Sequence, residues 1–133
     1  MKPLYLIACS AAKLDHAAPA AQLYTGQAFK LAMAAAARAG ADVLILSAMH
    51  GAVEPTDILA PYDRALSKMT RRERLIWEIT TAAKLMQHRD RTIVVLAGKH
   101  YAKALAGFPN VSLPLRGQGI GQQLATLKGL NHA

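Results

Sequence analysis

Four things are scarce in this chain of 133 residues: cysteine, aromatic rings, acidic side chains and long apolar runs. The single cysteine, Cys9, excludes an internal disulfide and points to a reducing compartment. Aromatics make up only 5% of the residues, so each ring needs a specific place. Eight acids stand against sixteen bases, giving a formal net charge of +8. That balance favours polyanionic partners such as nucleic acid, nucleotides or anionic lipid. No run reaches eighteen apolar residues, so no membrane-crossing helix is expected. The Met1-Lys2 opening is soon followed by Lys13 and Asp15 without a small-residue cleavage site, so the expected location is cytoplasmic. The histidines, His16, His50, His88, His100 and His132, are scattered without metal-ligand spacing, and neither a metal nor a cofactor is expected.

What is abundant is Ala, Leu, Ile and Val. The chain is 53% hydrophobic, enough for one domain with a core that needs no staples. Short apolar runs at 3–9, 42–47, 91–97 and 110–115 read as strands. Between them lie helical stretches. Residues 24–39 are Ala-rich and stop at Gly40. Thr70, with Glu73 three residues later, is a capping-box start. Leu75, Ile76, Ile79, Ala83 and Met86 follow at helical spacing and predict the face that this helix packs inward, with Trp77 also in the core. A short helix at 99–106 and a last one at 119–130 complete the pattern. Continuous apolar strands alternating with helices predict an α/β fold: a small three-layer Rossmann-like sandwich with a mostly parallel four-stranded sheet, in a single domain spanning 1–133.

In such a sheet, ligands bind beyond the carboxyl ends of the strands. Each strand here is followed by a polar or glycine-rich segment. After the first come Ser10 and Lys13, a hydroxyl and a cation suited to phosphate or, less readily, to a Ser–Lys nucleophile. After the second comes SAMHGAVEPTDILAPYD, Ser47 to Asp63. His50-Gly51 suits a sharp turn, Pro55 and Pro61 stiffen the segment, and Asp57 and Asp63 offer carboxylates for activating water or binding a ribose. Asp57, Asp63, Ser47 and His50 are therefore the catalytic candidates. After the third strand comes Gly98-Lys99-His100-Tyr101, two donors and a ring that could meet a base. After the fourth, Arg116, Gly117, Gly119 and Gly121 precede a helix, where backbone N–H groups can cradle an anion. Tyr24, Tyr62 and Tyr101 are candidates to stack a base, and the Arg71, Arg72 and Arg74 cluster could touch a nucleic-acid backbone.

The segments CSAAKLD, LYTGQAFKLA, LILSAMHGAVEPTDILAPYD and LRGQGIGQQL together resemble a family of small bacterial and phage proteins of unknown function. That family is in turn similar to the core of the peroxide stress protein YaaA. Ser10, Lys13, Tyr24, Gly26, Ser47, Gly51, Pro55, Asp57, Pro61 and Tyr62 match its pattern, whereas His50 replaces a usual Tyr and Asp63 a usual Arg. The resemblance implies a nucleic-acid or nucleotide context. By analogy with neighbouring α/β folds it suggests an N-glycosidic-bond hydrolase acting on a possibly modified base. A non-catalytic DNA-binding accessory protein and a small-nucleotide sensor are the alternatives.

Overall fold

The computed structural model describes residues 2–132. Its central sheet has five strands, ordered across the sheet as Gly51–Val53, Asp42–Ser47, Leu4–Ala8, Ile93–Leu96 and Val111–Ser112. The strands are β1 (Leu4–Ala8), β3 (Asp42–Ser47), β4 (Gly51–Val53), β6 (Ile93–Leu96) and β7 (Val111–Ser112). β1 runs parallel to β3 and β6, β6 runs parallel to β7, and β4 is antiparallel to β3. The expected count of four strands is thus corrected to five. The extra strand is a three-residue return after the turn at 48–50, too short to show a period in the sequence.

Neighbouring residues along the strands bury on opposite faces. Ile7, Ile45 and Leu96 pack with Phe29, Ala32, Ala36 and Leu127, from α2 (Gln27–Arg38) and α5 (Ile120–Leu130). Leu6, Leu46 and Val95 pack with Trp77 and Leu85 of α3 (Arg71–Leu85), and with the 3-10 turn at Lys103–Leu105 that follows α4 (Lys99–Ala102). Helices on both faces explain why the strands read as unbroken apolar runs.

The local signals explain most element ends. Thr70 accepts the Glu73 N–H while Glu73 accepts the Thr70 N–H, the reciprocal cap the sequence predicts. Gly40, at φ 63°, ends α2, with Gly40 and Ala41 donating to the carbonyls of Ala37 and Ala36. α2 begins three residues later than expected. Tyr24 bridges Lys13 and the Thr25 N–H donates to the Ala12 carbonyl, so this stretch is held extended against the loop leaving β1. Ahead of it lie a one-turn helix, α1 (Ala20–Leu23), and the strand β2 (Ala18–Pro19), which pairs with β5 (Ile58–Leu59).

The stripe expected to pack inward on α3 is corrected. Leu75, Ile76, Ile79 and Met86 are 53%, 54%, 61% and 47% exposed, and Ala83 is exposed too. Trp77, Thr81 and Leu85 face the sheet instead. The helix carries apolar residues on two sides, and spacing alone does not say which side meets the core.

Candidate functional site

Strand order fixes where a ligand cleft can form. The chain leaves β1 over the α2 face to reach β3. It then crosses by the α3 face to β6, on the other side of β1. The reversal opens a crevice between the carboxyl ends of β1 and β6, the usual ligand position in open α/β sheets. A cleft of about 590 Å³ lies there, lined by Cys9, Ser10, Gly26, Phe29, Gly98 and Tyr101 among others. A second hollow of about 990 Å³ adjoins it and shares Ala97, Gly98, Leu115, Ile120 and Gln123. The first arm is largely apolar. The second carries Lys99, His100, Lys103 and Arg116, with Gly117 and Gly119 in its wall. Among the described residues, neither arm has an Asp or Glu in its lining.

The first arm is shaped at its floor by Ser10. Its hydroxyl donates to the Ala12 carbonyl at 2.7 Å and accepts the Gly26 N–H at 3.2 Å. A Cβ on Gly26 would stand 2.7 Å from the Ser10 Cβ, so the helix start needs glycine here for space. The start of α2 has no side-chain cap and no acid in its first turn. The Ser10–Lys13 nucleophile pair does not form: Lys13 Nζ donates to the Ala11 carbonyl and sits 4.3 Å from the centre of the Tyr62 ring.

Beside the cleft, three hydroxyls form a chain. Ser47 Oγ lies 2.8 Å from the Tyr62 hydroxyl, which lies 2.7 Å from that of Tyr24. Ser47 Oγ also accepts the N–H groups of Met49 and His50. Its lone pairs are then occupied, so its proton donates to Tyr62. Burial raises the pKa of both Tyr24 and Tyr62 above the ordinary phenol range, so both stay neutral. Burial also raises Tyr101, whose hydroxyl meets Cys9 Sγ at 3.3 Å.

This cluster changes the role of several expected residues. Ser47 is fully buried and caps the turn after β3. Tyr24, at 1% exposure, has no face for a base. Tyr62 has Lys13 over its ring and His50 at its edge. Of the three tyrosines only Tyr101 lines the cleft, edge-on to Trp77. His50 is exposed, and its carbonyl accepts Lys84 Nζ. Gly51 is buried under α3 at φ 72°, with Thr81 Oγ1 3.1 Å from where a Cβ would sit, so it serves the turn and lines neither arm.

Asp57 lies elsewhere. Its carboxylate accepts the Glu54 N–H at 2.9 Å, closing a turn. The turn's own Glu54 and Pro55 border Leu4 and Asp42, the first residues of β1 and β3, at the opposite end of the sheet from the cleft. Asp63 is exposed and lines neither arm. Replacing Asp57 with alanine is expected to cost about 1 kcal/mol in urea unfolding, by loss of the turn's acceptor, while Asp57→Asn retains most of it. Neither change should alter ligand affinity; a loss of binding in a fully folded D57N chain would place Asp57 in the site after all.

Lys103 belongs to no motif in the sequence, and only its place four residues after Lys99, near the same helix face, signals it. Ile120, 81% exposed, and Gln123 close the rim from α5. Both belong to α5, whose sequence signal is its opening glycines.

No curated protein and no solved structure matches the chain. A family profile described as "Family of unknown function (DUF6884)" matches residues 4–129, and the chain belongs to that family.

Proposed function

We propose that the two-armed cleft binds a nucleotide, with phosphate in the cationic arm and the base and sugar in the apolar arm. One observation carries this reading: Lys99, Lys103 and Arg116 line a hollow without a described acid, continuous with an apolar cleft at the crevice between β1 and β6. Three exposed cations with no described acid in the lining around them favour an anion. An apolar pocket ending at Tyr101 suits a planar ring. The likeness of the chain's motifs to the YaaA core supports the same context.

Base release, the reaction expected from the sequence, needs a carboxylate at the sugar. Asp57 is committed to its turn and Asp63 lines neither arm, so the reading proposed is binding without cleavage. The DNA-backbone alternative rests on Arg71, Arg72 and Arg74, and Arg74 already donates to the carbonyls of Leu66 and Met69.

The test is calorimetric titration with nucleoside 5′-phosphates, the matching nucleosides, free bases and short DNA at two salt concentrations. Phosphorylated ligands should bind at least about tenfold more tightly than nucleosides, as expected when a charge-assisted contact contributes 1.5–3 kcal/mol. Equal binding of nucleoside and nucleotide overturns the phosphate assignment. Binding of the short DNA alone, lost in salt, favours the backbone reading.

His100 gives this site a pH signature. Burial lowers its pKa first, and Arg74, Lys99 and Lys103 lower it further, against a smaller opposing pull from Glu78. It is therefore neutral at pH 7. A bound phosphate favours the protonated ring, so its pKa rises in the complex and binding takes up a proton. Affinity should strengthen as pH falls below neutrality, and His100→Gln should remove that component. An unchanged pH profile in the glutamine variant would separate His100 from the phosphate.

A further inference from the structure

The outward stripe of α3 has a pattern that a solvent face does not require. Arg72, Ile76, Ile79, Ala83, Met86 and Asp90 follow one another at steps of four, three, four, three and four. Those steps are the seam spacing of paired helices. α3 ends at Leu85, a 3-10 turn at Met86–His88 continues it, and Asp90 follows in the turn just beyond. All six residues are exposed. None lines the cleft, so the stripe is a separate surface.

The series also reads the same from both ends. Its steps are symmetric about the level of Thr81, and its chemistry is self-complementary. Reversed and laid on itself, the seam sets Ile79 against Ala83, Ile76 against Met86, and the Arg72 cation against the Asp90 anion. Arg72 has no partner among the described hydrogen bonds and ion pairs. Asp90 is 91% exposed, and its one ion pair among the described residues is with Arg89, at 3.9 Å.

We infer that the chain forms a dimer with a second copy of itself, α3 against α3, antiparallel about a twofold axis. A twofold interface places one surface against itself, so every contact occurs twice and the surface must be self-complementary. The seam meets that condition in shape and in charge. A helix lying on a lipid surface would gain from cations along its polar margin, whereas this seam ends in an acid. An unrelated protein partner would place no symmetry on the stripe.

The test is the mass of the full-length chain by sedimentation over a wide concentration range. The native chain should reach twice its 14.2 kDa mass and dissociate on dilution. Ile79→Glu should weaken the dimer on the order of 100-fold, because it buries a carboxylate against Ala83 of the other copy, twice, with both charges near the axis. Ile79 faces solvent in the single chain, so its circular dichroism should be native. Arg72→Asp and Asp90→Arg should each weaken association roughly tenfold, and the double swap should restore it to within a few-fold of native. A monomer at every concentration overturns the inference, including one whose stripe binds vesicles or another protein. A dimer untouched by I79E, or a double swap as weak as either single one, overturns it too.

Discussion

Replacing Trp77 with alanine is expected to destabilise the chain by about 3–5 kcal/mol, a large share of the 5–15 kcal/mol typical of a domain. The ring is 6% exposed between α3 and the sheet. Its centre is 5.5 Å from that of Tyr101, edge-on, and its N–H donates to the Ser47 carbonyl at 2.9 Å. Alanine therefore removes a packing partner from the cleft's one lining tyrosine and a donor from the residue that caps the turn after β3. Trp77→Phe separates the two effects. It keeps most of the ring and loses the hydrogen bond, for about 1–2 kcal/mol. Unfolding should be followed by circular dichroism, since Trp77 is the chain's single tryptophan and both variants lose its fluorescence. A loss below about 1 kcal/mol for the alanine variant would mean that α3 is held mainly by its other contacts.

The same residue shows where the sequence was legible and where it was not. Placing Trp77 in the core follows from the size of its side chain and the scarcity of rings, and it is buried. Placing Leu75, Ile76 and Ile79 there by spacing fails, because Trp77, Thr81 and Leu85 form a second stripe at the same period. A helical pattern reports that a face is apolar, not that the sheet lies behind it. The parallel strands were readable because burial on both faces leaves an unbroken apolar run. β4 was not, since three residues carry no period. The cap at Thr70 and the stop at Gly40 needed only neighbours in sequence, and the structure has both.

The candidate site was legible by segment more than by residue. The segments leaving β1, β6 and β7 do line the cleft. The one leaving β3, richest in polar types, mostly does not. Its polar groups hydrogen-bond one another or the backbone: Ser47 to Tyr62 and the turn, Asp57 to Glu54. Polar variety in a loop is satisfied as readily by the loop's own backbone as by a ligand, and composition cannot separate the two. Lys103 required knowing that the chain stays in helical turns after α4, which brings it to the same hollow as Lys99 and Arg116.

Those three cations give the second large effect. Reversing Lys99, Lys103 and Arg116 together to glutamate should weaken nucleotide binding by at least about 100-fold, equivalent to about 2.7 kcal/mol. Each side chain is exposed, so each substitution changes the field in the hollow without opening the core. Single reversals should each cost roughly 5- to 10-fold, and their sum should not simply add, because the three charges act on one phosphate group. Affinity of the native chain should fall with added salt, and that of the triple variant should rise, as expected when screening weakens the repulsion between the three glutamates and the phosphate. His100 supplies an internal check. With glutamates in place of Lys99 and Lys103, two of the influences that lower its pKa change sign, so its titration by NMR should move upward even without ligand. An upward shift with nucleotide affinity unchanged would show that the charges had been reversed beside the ring while the phosphate binds somewhere else.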